Sequence, residues 1–143
     1  MTDESPREQG GGRIYVQRDK HHLFQALGKD DETSPFPTLK DAFLFAAAVG
    51  WAKKRRLATK GPRQHVGFWH SFSAQEDVPL VQAISIAETG EPAVVANQNE
   101  MLRILEEYAN GGIDFVLEYE RHDRDATILA LASLVNDLRP AAG

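Results

Sequence analysis

Six of the chain's 16 Lys and Arg residues are gathered between Lys53 and Arg63: Lys53, Lys54, Arg55, Arg56, Lys60 and Arg63. His65, the pair Phe68-Trp69 and His70 follow directly. Cations neutralise phosphates and release counterions, and an exposed aromatic ring stacks on a base, so this combination suits nucleic acid. The same residues also fit a solvated helix end with Phe68 and Trp69 turned inward beneath a loop, because a charged run is commonly just a solvated face. The formal net charge of -5 repels polyanions and anionic lipid in general, so contact with either has to be local. The candidate binding residues are Lys53, Lys54, Arg55, Arg56, Lys60, Arg63, His65 and Trp69, for DNA, RNA or a protein partner.

Other groups carry less specific chemistry. Glu120, His122, Asp123 and Asp125 form an acid-rich cluster of the kind with which nucleases hold magnesium. Aspartates are also expected there for a structural reason, as the start of a helix whose N-terminal dipole favours them. A small metal-dependent nuclease-like enzyme is therefore the alternative function. His21-His22 and the pair His65 and His70 lack the spacing that brings metal ligands together, and no metal site is expected at them. Ser71 and Ser73 lie near His70 but outside any nucleophile-elbow pattern. Gly10-Gly11-Gly12 follows no strand and lacks the Lys-Ser/Thr ending of a phosphate loop, so it reads as a linker. The absence of cysteine excludes disulfides, thiolate zinc sites, iron-sulfur clusters and cysteine nucleophiles. No cofactor is expected, and binding is a better expectation than catalysis.

Charge of the opposite sign gathers later, at Glu100, Glu106, Glu107, Asp114, Glu118, Glu120, Asp123 and Asp125. These acids either close on the basic segment within one molecule or meet a partner or a second copy.

The elements that must position these residues are mostly helical. With 143 residues, 42% hydrophobic and 26% charged, the chain supports one core. Residues 1–12, polar and glycine-rich, read as a flexible tail, and residues 13–143 as a single helical domain. The tail has no signal-peptide pattern, and the longest apolar run, Ala42 to Ala52, is shorter than the ~20 residues a membrane span needs. A cytoplasmic protein without membrane contact is expected.

Leu23, Phe24 and Leu27 have helical spacing, with Gly28 as a stop, and the prolines of Lys29 to Pro37 make a loop. Thr38 is a good N-cap for a helix to Ala52 that is apolar on most of its circumference and must therefore be buried on several sides. The cations Lys53 to Arg56 suit its negative C-terminal end. Leu57 to Ser73, broken by Gly61, Pro62 and Gly67, reads as a long connection with room for short extended pieces. Helices are expected over Asp77 to Glu88, stopped by Thr89-Gly90, and from an Asn97 and Glu100 capping box to Asn110-Gly111-Gly112. Arg13 to Gln17 and Ile113 to Tyr119 are open between strand and helix. A last helix from Asp123 to Leu138 carries an apolar stripe that can pair two copies. The expected fold is mainly α, a compact helical bundle of about five helices with at most one short β-hairpin.

The run Phe36-Pro37-Thr38-Leu39-Lys40-Asp41-Ala42-Phe43-Leu44-Phe45-Ala46-Ala47-Ala48-Val49-Gly50, followed by Lys53 to Arg56, resembles small proteins encoded beside bacterial DNA-phosphorothioation (Dnd) clusters. Asn110-Gly111-Gly112 after an amphipathic helix is similar too. The resemblance implies a cytoplasmic accessory or adaptor in a DNA-modification or antiphage (antiviral) defence system. Its partners would be DNA or proteins of that complex, and it brings no catalytic motif with it.

Overall fold

The structure, a computed structural model, describes residues 12–28 and 36–120, without side-chain detail at 117–120. In chain order it contains β1 (Arg13–Gln17), α1 (His21–Leu27), α2 (Leu39–Ala52), β2 (Arg63–Phe68), α3 (Asp77–Thr89) and α4 (Gln98–Glu120). Short 3-10 turns at Arg18–Lys20, Trp69–Ser71 and Pro92–Ala96 join them. The protein is mainly α, with four α-helices among the described residues instead of about five. The helix expected over Asp123 to Leu138 lies outside those residues, as do the linker Gly10-Gly11 and most of the Lys29 to Pro37 loop. The β element is a two-stranded antiparallel ribbon whose strands are separated in the chain by α1 and α2.

The centre of the fold is α2. Thr38 caps it as its sequence requires: the Asp41 amide donates to Thr38 Oγ1 (3.1 Å), and the hydroxyl donates back to Asp41 Oδ2 (2.8 Å). Every residue from Ala42 to Gly50 is buried. No face is left for water, so α2 needs neighbours all round: α4 along one side, then α1, α3 and β2.

The largest departure from expectation is α4, which does not stop at Asn110-Gly111-Gly112 but continues through Ile113 to Glu120. The two glycines are there for close backbone approach, Gly112 to α2 and Gly111 to the segment after it, not to end a helix. A Cβ built on Gly112 would lie 1.9 Å from Ala46 O, and one on Gly50 would lie 2.0 Å from Tyr108 O. The helix backbones touch at this crossing, and the contact outweighs the ~1 kcal/mol of helix propensity that each glycine sacrifices. Ile113 and Val116, which the sequence left open, become fully buried core residues of the added turns.

The remaining elements close the core. In β1, Ile14 and Val16 are buried while Arg13, Tyr15 and Gln17 take the alternate face. The helix α3 ends at Gly90 in the left-handed region (φ 71°), as Thr89-Gly90 predicts, and Pro79 sits in its first turn. The Glu100 amide donates to Asn97 Oδ1 (3.1 Å), the expected cap of α4. A Lys40 to Asp77 ion pair (2.7 Å) ties α2 to α3.

Candidate functional site

The basic segment begins with the turn that ends α2. Lys54 N donates to Trp51 O (3.1 Å) and Arg55 N to Gly50 O (2.8 Å). This is a Schellman closure, whose geometry requires a left-handed residue at Lys54. Lys54 has φ 56°, and among the described residues no other non-glycine has a positive φ. Glycine is the ordinary occupant of that position, and a side chain there costs roughly 1 kcal/mol of backbone strain.

Beyond the turn, residues 55–58 lie along α4. Leu57 N donates to Glu107 O (3.1 Å), and buried Asn110 donates through Nδ2 to Leu57 O (3.2 Å) and Ala58 O (3.3 Å). A Cβ on Gly111 would meet Arg55 O at 1.9 Å, so this glycine is also dictated by a close approach. The acids then separate the cations into two groups. Arg55 pairs with Asp114 (3.3 Å) and lies over the Phe115 ring. Arg56 pairs through Nη1 with Glu88 (2.5 Å) and through Nε with Glu107 (2.7 Å). Tyr108 donates to the other oxygen of Glu88. Burial alone would raise the Glu88 pKa, but the Tyr108 and Arg56 hydrogen bonds outweigh it and hold the carboxyl below its ordinary value. Burial and the neighbouring Glu88 push the Tyr108 hydroxyl up to about 12.

Lys53, Lys54, Lys60 and Arg63 form the other group. Among the described residues no acid pairs with any of them, and all four are exposed. The Lys60 amide is anchored to Gln17 Oε1 (2.9 Å), which places Lys60 near the Gln17 and Arg63 pair at one end of the ribbon. Part of the acid-base asymmetry therefore closes within the molecule, through Arg55 and Arg56, and part is left facing solvent.

On the ribbon, strand register decides which rings share a face. Arg13 pairs with Phe68, Tyr15 with His65 and Gln17 with Arg63, with an irregularity between Ile14 and Tyr15 that makes Val66 an extra residue on β2. His65 and Phe68, three apart, would point to opposite faces of a regular strand; the bulge puts their rings 4.6 Å apart. Arg63 lies 4.6 Å over the Tyr15 ring. Trp69 packs on Phe72 and the core, while Phe68, half-buried, meets the rings of His65 and His70.

A family model described as DNA sulphur modification system-associated protein 4 matches residues 13–139. The chain belongs to this family. The family match starts at the first residue of β1 and takes in the glycine crossing, the Lys54 turn and the ribbon. It places the protein in the setting of DNA phosphorothioation that the α2 run and Asn110-Gly111-Gly112 resembled. No curated protein and no solved structure matches the chain.

The structure brings Lys53, Lys54, Arg55 and Arg56 together at one turn and sets Arg63 and His65 on the ribbon, with Lys60 between them. Sequence reasoning missed Tyr15 and Arg13, which share the outer ribbon face, and Trp51, which is 36% exposed at the end of α2. Alternation within Arg13 to Gln17 was the available signal for the first two. Nothing in an all-apolar helix marks which residue escapes burial. Glu120 ends α4, but its side chain and the rest of the acid cluster at 122–125 lie outside the described side chains. Among the described residues no three His, Asp or Glu side chains gather in a way that could hold a metal ion, and no helix is long and apolar enough to cross a membrane.

Proposed function

We propose that this protein is a noncatalytic accessory of its DNA sulphur-modification system that contacts DNA phosphates through Lys53, Lys54, Lys60 and Arg63. The observation that carries this reading is the sorting of the basic segment. Two arginines are committed to acids and hold the segment in place, while four cations have no acid partner among the described residues, on a chain of net charge -5. Lys54 adds weight to it, because a lysine sits where glycine would relieve strain. Overall repulsion makes such binding modest and salt-sensitive, with a slope of log K against log salt between about -2 and -4 for two to four phosphate contacts.

Fluorescence anisotropy with labelled DNA across a salt series tests it. The expected result is binding at low salt that weakens on this slope, and a shallower slope when Lys53 and Lys60 become Gln. The absence of binding at low salt removes the reading. Trp51, exposed beside Lys53 and Lys54, favours a second reading in which the same corner docks on another protein of the system. Co-purification from a native lysate that depends on Trp51 but not on the lysines would favour that reading.

A further inference from the structure

Phosphate binding does not account for the rings on the outer ribbon face. Tyr15 and His65 meet edge to face at 5.9 Å, His65 and Phe68 at 4.6 Å, and Phe68 and His70 lie nearly parallel, 11° apart with centroids 5.1 Å apart. His65 Nε2 is covered and has no hydrogen-bond partner among the described residues, while the His65 ring contacts Tyr15 and Phe68. His70 is exposed and carries the Phe68 stack out to solvent. The other end of the row is the Arg63 guanidinium over Tyr15, with Lys60 near it.

A duplex keeps its base faces in its own stack and offers a protein mainly phosphates and groove edges. An unpaired strand offers phosphates together with base faces, and flat rings beside cations match both. We propose that the outer ribbon face binds single-stranded DNA, a base extending the Phe68 and His70 stack while Arg63 and Lys60 meet phosphates. This rests on the DNA reading above and narrows it from DNA in general to unpaired strands.

The test uses the full chain with an oligonucleotide carrying the fluorescent base 2-aminopurine, as a single strand and as the matched duplex. The wild type is expected to bind the single strand about tenfold tighter than the duplex and to quench the probe as the base stacks. His70→Ala, at an exposed position, is expected to lose about tenfold in single-strand affinity, and the quench, with duplex binding and salt slope unchanged. Phe68→Leu is expected to do the same, its folding checked by thermal melt. Equal wild-type affinity for both forms, or single-strand binding and quenching untouched in His70→Ala, would overturn the stacking face and leave phosphate binding standing. Failure of the wild type to bind either form defeats the underlying DNA reading instead.

Discussion

At Gly112 and at Lys54 the same question, whether the backbone there tolerates a side chain, is answered in opposite ways. Gly112 sits in mid-helix, where most residues have better propensity, yet a single methyl would run into the α2 backbone at 1.9 Å. Lys54 sits in a left-handed turn where glycine is the relaxed choice, yet it carries a long charged side chain into solvent. The first residue gives up local preference for packing. The second gives up local preference with no packing in return among the described residues, which marks the turn, and not the crossing, as a functional surface.

Substitutions at the two places should move stability in opposite directions. Gly112→Ala is expected to have the largest effect, a loss of about 3 kcal/mol, because backbone on the facing helix cannot give way as a flexible side chain can. Urea unfolding would read it, and a midpoint equal to wild type would mean that the helices are not in backbone contact. Next comes Arg56→Ala, with an expected loss of about 2 kcal/mol. It leaves Glu88 and Glu107 half-buried without their shared cation, and partial exposure keeps the loss below that of a fully buried pair. A double-mutant cycle with Glu107→Gln measures the coupling.

The same network gives stability a pH signature. Glu88 has a depressed folded pKa, so its contribution is present above the ordinary glutamate value and is lost as pH falls through the lower folded value. Tyr108 is shifted the other way: its contribution is complete below pH 10 and declines as pH rises toward about 12. Thermal melts across pH should slope downward at both extremes. Tyr108→Phe should flatten the alkaline side, and an unchanged alkaline slope would show that Tyr108 is not held by Glu88.

At the turn, Lys54→Gly is expected to raise stability by about 0.5–1 kcal/mol while making the DNA salt slope shallower by about one. Higher stability with unchanged DNA binding would show that Lys54 contributes strain without function. The smallest effect is expected at Gly67. A Cβ there meets nothing within 4 Å and its φ is not positive, so Gly67→Ala should add roughly 0.5 kcal/mol by restricting the unfolded chain.

Much of the helical layout was legible from local patterns. Thr38 and Asp41, Asn97 and Glu100, and Gly90 marked helix ends through bonds made within a few residues of each end, and such bonds depend little on the rest of the fold. The basic segment was legible as composition, but not its division. Whether Arg56 binds Glu88 and Glu107 or faces solvent depends on residues far away in the chain. Gly111-Gly112 misled for a related reason, since a glycine pair serves equally to end a helix or to let another backbone approach, and the choice lies in the partner element.

What the sequence determined by itself was the helical character, the all-round burial of α2 and the presence of a cationic stretch, because each depends on residue types and short spacings. Tertiary structure decided that α4 continues past its glycines, that among the described residues two cations of the segment are paired with acids and four are not, and that a bulge places His65 and Phe68 on one face. Those outcomes come from contacts between distant segments, where close approach, ion pairing and strand register outweigh the roughly 1 kcal/mol preferences that a local reading can weigh.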